Sequence, residues 1–290
     1  MAKVTDKCTQ NADRLTIICD FSPPRGTDEF LFHGASALNV DFLCLAYSPG
    51  KSVRVDSAIA AHVIKERLGK DVIFTLATRD MNKLAIQNHV LGASLLGLDN
   101  VVVVGGDSFT EKDLTIVKEV SDYTPSELIK SIKAMNHGED YKGLKLRSAT
   151  DFCVGATIDL GRGIEREAKL THSKVLAGAD FFITQPVYDI QQMVQFLRTY
   201  ELVASNKVSV PIFMGLQVLD RSGLVFGEVP DNIKHDLEHG KDGTDIATEL
   251  LCQCLEAGIR NIYLIPTILR GGLRNYITAQ MVLDTYRAMS

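Results

Sequence analysis

The chain of 290 residues contains no tryptophan and little proline, with 8 prolines in all. It also lacks any apolar run of the about 20 residues that a membrane-spanning helix needs. The first residues, MAKVTDKCTQNADR, have no apolar core of the kind that a secretory signal peptide carries. These absences favour a cytoplasmic protein without a membrane segment.

Neither the 6 cysteines nor the 7 histidines form a metal-binding pattern. Cys19, Cys44 and Cys153 fall inside apolar runs, where a thiol behaves as a small buried hydrophobe. Cys252 and Cys254 are separated by one residue in a helical stretch, which is not a zinc spacing. No Ser/His/Asp or Cys/His arrangement stands out, so we predict neither a metal site nor an activated nucleophile.

The sequence has no block of basic residues, and its formal net charge is −5. This balance argues against nucleic acid as a main partner. Hydrophobic residues make up 46% of the chain and charged residues 23%, which is ordinary for a soluble globular protein. We therefore expect a small-molecule substrate, in a protein that forms a homo-oligomer.

A short apolar run, a loop, a helical pattern and a glycine repeat along the chain. Glycine suits the left-handed cap that ends a helix, and Gly97, Gly178 and Gly258 are each followed closely by an apolar run. We predict eight strands, at residues 15–21, 40–46, 71–76, 100–106, 151–156, 180–184, 210–216 and 261–265. We predict helices at residues 56–68, 80–96, 245–256 and 272–288, and another that Asp189 caps, with Gln192 completing a capping box.

This alternation is typical of parallel strands joined by crossover helices, the α/β class. A barrel of eight such units takes about 250 residues, so the length suits one domain over residues 1–290. No linker rich in proline or serine interrupts the repeat, which favours a closed (β/α)8 TIM barrel over a doubly wound open sheet. The long segments 105–149 and 219–243 are predicted to place extra loops over the barrel mouth.

Ligands of such folds bind at the carboxyl ends of the strands. Asp20, Tyr47, Asp107, Gln185 and Gln217 all follow or end apolar runs, so we expect them to converge on one site. A carboxyl group inside an apolar strand is costly unless it is paired or faces a cavity. Burial also favours its protonated form, which suits Asp20 to a general-acid role. The alternative is a structural Asp20 bound to loop amides.

Asp107 follows two glycines, Gly105 and Gly106, which let the backbone approach a flat ligand closely. A carboxylate beside a conjugated ring can tune the reduction potential of that ring. The same three residues also suit a tight turn that caps the next helix. The GxGxxG fingerprint of dinucleotide-binding folds is absent from the sequence.

Gln185 carries an amide that can donate and accept, and can therefore read the edge of a heterocycle. A simple hydrogen bond at the barrel mouth is the alternative. Tyr47 and Tyr188 can stack on a ring or roof the barrel. Arg270, followed by two glycines before the predicted last helix, can bind an anion at a helix N-terminus or simply start that helix.

Five motifs occur in this order along the chain: FSPPRG, FLCLAY, GGD, AGADFFITQPVYD and IYLIP. Together they resemble the 5,10-methylenetetrahydrofolate reductases over residues 16–289, in the branch found in acetogens and in homocysteine methyltransferase fusions. The resemblance implies a catalytic domain alone: a (β/α)8 barrel that holds a flavin, usually FAD. In that family a reduced nicotinamide, NAD(P)H, reduces the flavin, which then reduces the methylene group of the tetrahydrofolate to a methyl group.

The resemblance also implies roles for individual residues. The family's general acid falls on Asp20, and its acid beside the flavin falls on Asp107. Its pterin-binding glutamine falls on Gln185. A lysine that helps hold the flavin phosphates falls on Lys174, and an acid on the adenosine side falls on Glu167. The other expected contacts at the mouth are Tyr47, Thr75, Gly106 and Ala156 for the cofactor, and Tyr188 and Gln217 for the folate.

The chain departs from the family pattern mainly on the flavin side. Asp20 replaces a glutamate, which shortens the reach of the acid by one methylene. Residues 75–77 read Thr-Leu-Ala where the family has His-Leu-Thr, and residues 156–163 lack an aromatic and a histidine that hold FAD. Ala46 replaces a threonine. FMN, or no flavin at all, therefore stays open.

Two other functions remain open at this point. One is a folate-binding subunit that works with a partner methyltransferase or an electron-transfer protein. The other is a barrel enzyme with a pterin-like or phosphorylated substrate bound near Arg270.

Overall fold

Eight parallel strands close into a barrel in the order in which they occur in the chain, as the sequence predicts. The structure is a computed structural model that describes residues 1–28 and 32–289. The strands are β1 Thr16–Phe21, β2 Phe42–Leu45, β3 Val72–Ala77, β4 Asn100–Val104, β5 Cys153–Ile158, β6 Phe181–Pro186, β7 Ile212–Gln217 and β8 Asn261–Ile265. Pairing of β1 with β8 completes the ring, which rules out the open sheet.

Helices surround this ring and follow the predicted pattern closely. They are α1 Val4–Gln10, α2 His33–Ser36, α3 Ser57–Leu68, α4 Lys83–Leu95, α5 Glu111–Leu114, α6 Pro125–Asn136, α7 Ile164–Leu176, α8 Ile190–Ala204, α9 Asp231–Glu238, α10 Gly243–Glu256 and α11 Tyr276–Met289. The long segment 105–149 carries α5 and α6, and each begins with a capping box. The segment 219–243 likewise carries α9.

The start of the last helix was predicted wrongly. α11 begins at Tyr276, because Gly271 and Gly272 adopt φ values of 84° and 81°, outside the helical region. Both glycines lie in the turn between two short antiparallel strands, β9 Thr267–Ile268 and β10 Arg274–Asn275. Arg270 therefore lies on a hairpin turn rather than at a helix N-terminus, which removes the basis for an anion site there.

Asp189 caps α8 as predicted, but not through a capping box. Its side chain accepts a hydrogen bond from the backbone N–H of Gln191 at 2.9 Å. Gln192 instead donates its own backbone N–H to the backbone oxygen of Asp189. A short aspartate side chain reaches the amide two residues on, so no reciprocal bond from Gln192 is needed.

The barrel separates two apolar layers, because alternate side chains of a strand point to opposite faces. The interior is filled by buried residues such as Ile18, Phe42 and Phe181. The outer layer packs the other face of each strand against the helices. At the amino ends of the strands α1 closes the interior: the side chain of Asn100 accepts from the Val4 N–H and donates to the Ala2 carbonyl oxygen. The opposite end is left for a ligand.

The tightness of the interior yields a prediction about stability. A Cβ atom added to Gly155 on β5 would lie 2.3 Å from the Phe181 ring, so Gly155→Ala should destabilise the protein by about 1–3 kcal/mol. Gly92 lies in the exposed face of α4 with open space around it, so Gly92→Ala should be neutral or stabilise by about 0.5–1 kcal/mol. Urea denaturation of both variants checks this contrast, and equal stability would contradict it.

Candidate functional site

A cavity of about 770 Å³ opens at the carboxyl ends of the barrel strands. Several of the residues that the sequence predicts for the site line it together: Asp20, Tyr47, Thr75, Gly106, Asp107, Lys174 and Gln185. They come from β1, β3 and β6 and from the segments that follow β2, β4 and β5. This volume is within the range of cavities that hold drug-sized ligands.

Asp20 lies at the floor of the cavity, where the period of two along β1 places it on the same face as Ile18. Its side chain is only 7% exposed, and both carboxylate oxygens are hydrogen-bonded. Oδ1 accepts from the hydroxyl of Tyr263 at 3.0 Å, and Oδ2 accepts from Nε of Arg274 at 2.8 Å. The alternative of a carboxylate bound to loop amides therefore does not describe Asp20.

Burial and the negative charge of Asp20 together determine the charge states of its two partners, Arg274 and Tyr263. Burial alone would disfavour the charged form of Arg274, but the carboxylate of Asp20 outweighs this effect and raises the Arg274 pKa. Burial, reinforced by the same carboxylate, raises the pKa of Tyr263 well above its ordinary value, so this phenol stays neutral. Asp20 therefore accepts a hydrogen bond from a guanidinium on one oxygen and from a neutral hydroxyl on the other.

Sequence reasoning missed both partners of Asp20. Tyr263 falls in the predicted strand 261–265, where its period-two spacing could have identified it as an inward-facing residue. Arg274 lies on β10, a strand of two residues that was taken for helix. No periodic signal marks it.

Arg79 joins the loops after β3 and β4 along one side of the mouth. Its Nε and Nη2 donate to the two carboxylate oxygens of Asp80 at 2.6 and 2.7 Å, and its Nη1 donates to the backbone oxygen of Asp107 at 2.6 Å. The guanidinium also lies 4.3 Å from the ring centre of Phe109. Tyr47 contacts Asp80, and burial raises the pKa of its phenol. Arg79 therefore fixes the loop that presents Asp107 to the cavity.

The two glycines before Asp107 differ in what lies over them. A Cβ atom on Gly106 would lie 3.2 Å from the Cβ of Arg79, whereas a Cβ on Gly105 would meet only Pro125, at 3.9 Å. Both glycines are exposed and line the cavity, so a flat ligand can approach the backbone at either one.

Lys174 reaches the cavity from α7 and is nearly buried. Its ammonium group donates to the carbonyl oxygen of Thr157 at 2.6 Å and to Oε1 of Glu167 at 3.4 Å. Burial lowers the Lys174 pKa, although Glu167 opposes that change. Arg162 and Arg166 line the cavity on the same side. These three cationic side chains, Arg162, Arg166 and Lys174, form a basic wall of the cavity that can bind an anionic group of a ligand.

Two predicted cofactor residues lie beyond this wall. Ala156 points into the outer apolar layer, because its neighbours Gly155 and Thr157 take the inward positions of β5. Glu167 is 1% exposed behind Lys174, and its Oε2 has no hydrogen-bond partner among the described residues. Glu167 contacts the cavity only through Lys174.

The three residues predicted to bind the substrate on the β6–β7 side are placed differently. Gln185 is exposed at the mouth and lines the cavity. Gln217 is buried, and its side chain donates to the Leu224 carbonyl oxygen and accepts from the Phe226 N–H and the Tyr188 hydroxyl. Gln217 and Tyr188 therefore support the loop whose Phe226 lines the cavity, and do not line it themselves.

Searches for other kinds of site are limited to residues 1–28 and 32–289. Within these ranges no group of three or more histidine, cysteine or acidic side chains could hold a metal ion. No helix there combines the length and the apolar character needed to cross a membrane.

Two solved structures share the fold of this chain. One is described as an uncharacterised protein from Clostridium thermocellum that binds two copies of 5-methyl-5,6,7,8-tetrahydrofolic acid. It has a TM-score of 0.64 at 18% identity, and the match covers 98% of this chain and 100% of that one. The other is a long-chain alkane monooxygenase with a TM-score of 0.57 at 10% identity, covering 95% and 92%. At these identities the likeness concerns the fold.

The sequence itself decides the family. A family model for methylenetetrahydrofolate reductase matches residues 5–280, which is nearly the whole chain. This match covers every barrel strand and the residues around the cavity. The chain therefore belongs to the methylenetetrahydrofolate reductase family.

Proposed function

We propose that this protein is an oxidoreductase that interconverts 5,10-methylenetetrahydrofolate and 5-methyltetrahydrofolate by hydride transfer. The observation that carries the proposal is a buried carboxyl group, Asp20, on the floor of a cavity whose rim presents Asp107 and Gln185. Family membership supports the reaction class. The description of a structural neighbour that binds 5-methyl-5,6,7,8-tetrahydrofolic acid supports the substrate.

Asp107 and Gln185 are available to a ligand. Within the described part of the chain, neither side chain makes a hydrogen bond to another residue, and both are exposed at the mouth. We assign the Gln185 amide to the edge of the pterin, since it can both donate and accept. Asp107 provides negative charge beside the cofactor and the pterin, where it stabilises positive charge that develops during the reaction.

Reduction of the methylene bridge needs one proton and one hydride. The bond between N10 and the bridging carbon breaks as N10 takes a proton, and the resulting iminium carbon takes the hydride. Asp20 is the group that exchanges this proton, donating it in reduction and accepting it in oxidation. Gln185 holds the pterin so that the carbon faces the hydride source.

A flavin fits the donor set on the other side of the cavity. Arg162, Arg166 and Lys174 suit its phosphates, and the exposed backbone at Gly105 and Gly106 suits an approaching ring. Glu167 lies behind Lys174 and supports the position of its ammonium group, to which it is hydrogen-bonded at 3.4 Å. When bound, FAD supplies a ring that carries hydride between NAD(P)H and the folate.

An absorbance spectrum of the purified protein tests this proposal. We expect a flavin band at about 450 nm that bleaches when 5-methyltetrahydrofolate is added without air, because hydride then enters the flavin. Adding tetrahydrofolate without the methyl group is the control, and should leave the band unchanged. A flavin band that no methylated folate can bleach would contradict the proposed chemistry.

A second candidate is a folate-binding subunit that passes folate to a partner methyltransferase or electron-transfer protein. One observation favours it: the altered flavin contacts at residues 75–77 and 156–163. A colourless protein that binds 5-methyltetrahydrofolate without turnover supports this candidate. Turnover by the purified chain alone would exclude it.

Substitution of Asp20 separates catalysis from binding. Asp20→Asn should lower kcat by about 10²- to 10⁴-fold in either direction, because the amide cannot exchange a proton with N10. Asp20→Glu keeps the carboxyl group and should retain more activity than the asparagine variant. Steady-state kinetics of both variants, with folate affinity measured separately, checks the assignment. An asparagine variant with unchanged kcat would remove Asp20 from the reaction.

A further inference from the structure

The ionisation of Asp20 depends on a residue outside the barrel strands. Both carboxylate oxygens are occupied, one by neutral Tyr263 and one by the guanidinium of Arg274 at 2.8 Å. The side chain of Arg274 is only 4% exposed. This ion pair is therefore shielded from water, and screening by salt weakens it far less than a surface pair.

The other charged and titratable groups that face Asp20 come from all the elements around it: Cys19 on β1, Cys44 on β2, Tyr263 on β8, Tyr276 on α11 and Arg54 in the loop before α3. Burial raises the pKa of each of these thiols and phenols, to about 12 for Cys44, so all four are neutral near pH 7.

Arg54 is the other cation, but its Nη1 donates to the Pro23 carbonyl oxygen and its Nε to the Ser52 hydroxyl. Among the described residues, Arg274 is thus the cation that hydrogen-bonds Asp20.

The position of Arg274 is fixed by the β9–β10 hairpin. Its Nη1 donates to the carbonyl oxygen of Gly272 at 3.2 Å, in the turn of the same hairpin. The hairpin is tied in turn to the loop after β7, since the Leu224 N–H donates to the Ile268 carbonyl oxygen at 2.7 Å. Arg274 therefore approaches Asp20 from a structured element, with its guanidinium already oriented.

We propose that Arg274 is the positioning residue of the Asp20 carboxyl group: it holds Asp20 ionised and oriented, so that the resting site presents a proton acceptor. The geometry carries this: Nε of Arg274 donates to Oδ2 at 2.8 Å, and a guanidinium binds a charged carboxylate more strongly than a neutral carboxylic acid.

The chemical consequence rests on the proposed function. In the oxidation of 5-methyltetrahydrofolate, a hydride leaves the methyl carbon for an oxidised flavin or nicotinamide. N10 then bonds to that carbon and loses its proton to the Asp20 carboxylate. In reduction Asp20 must first be protonated. Arg274 therefore sets the pH below which oxidation slows in kcat/KM, and reduction should become faster towards acid pH.

The test compares pH profiles of kcat/KM for 5-methyltetrahydrofolate oxidation in the holoenzyme. Arg274→Gln should move the acid limb to higher pH by about 1–3 pH units, because the cation that favours the carboxylate is gone. Arg274→Lys keeps the charge and should move it less. Arg270→Gln, an exposed position on the same hairpin, is the matched control and should match the parent protein. An unmoved limb in Arg274→Gln, even with a lower rate at every pH, would overturn the proposal.

Infrared difference spectroscopy gives a second readout that needs no turnover. The carbonyl band of protonated Asp20, identified by its loss in Asp20→Asn, should appear at a higher pH in Arg274→Gln than in the parent protein. Appearance at the same pH in both would refute the role of Arg274, whatever the reaction. If the band shifts in Arg274→Gln but the parent protein turns over no folate, the role of Arg274 stands and the proposed function is rejected.

Tyr263→Phe removes the other hydrogen bond to Asp20 and leaves the ion pair intact, so it should shift the band less. This variant provides the comparison if Arg274→Gln does not fold.

Discussion

The alternation of side chains around a closed barrel is the constraint on which the rest of this structure depends. Inward positions near the amino ends of the strands are occupied by large apolar side chains such as Phe42, Phe181 and Phe213. Towards the carboxyl ends of the barrel strands the inward positions include polar residues, such as Asp20 on β1 and Thr75 on β3. The apolar layer therefore forms the floor on which the cavity is built.

Burial at this floor explains the arrangement of charges above it. A buried ion without a partner costs several kcal/mol, so the buried charged side chains around the cavity are paired. Asp20 pairs with Arg274, Asp80 with Arg79, and Glu167 with Lys174. In each pair at least one partner comes from a loop, a hairpin or a helix rather than from a strand. The strands thus determine the shape of the site. The loops and outer helices supply most of the charges around it.

This division explains what could be predicted from the sequence. The eight strands were predicted correctly because buried parallel strands leave continuous apolar runs. Helices α3, α4, α8 and α10 were also predicted correctly, from an apolar face or a cap, whereas the start of α11 was wrong. Membership of the methylenetetrahydrofolate reductase family was also predicted correctly from the order of five motifs. The roles of the individual site residues stay predictions.

Arg79 and Arg274 escaped sequence reasoning because they lie outside periodic elements. The contacts that matter are distant in sequence: Arg274 is 254 residues from Asp20, and Arg79 reaches the backbone oxygen of Asp107, 28 residues away. Ala156 and Gln217 show the reverse limitation. Both lie in strands next to the cavity, but strand alternation turns Ala156 outward, and the amide of Gln217 is bound to the loop that carries Phe226.

Closure of the ring by β1 and β8 has a consequence for how the protein is made. The register of Thr16 with Asn261 and of Cys19 with Leu264 joins β1 to β8, so the barrel cannot close until β8 has been synthesised. Until then the edges of β1 and β7 are unpaired and available for aggregation, as in other folds dominated by contacts between distant residues. Asp20 belongs to β1, Tyr263 to β8, and Arg274 follows β8. The site around Asp20 therefore cannot form before the barrel closes, and a nascent chain completes its fold and its site together.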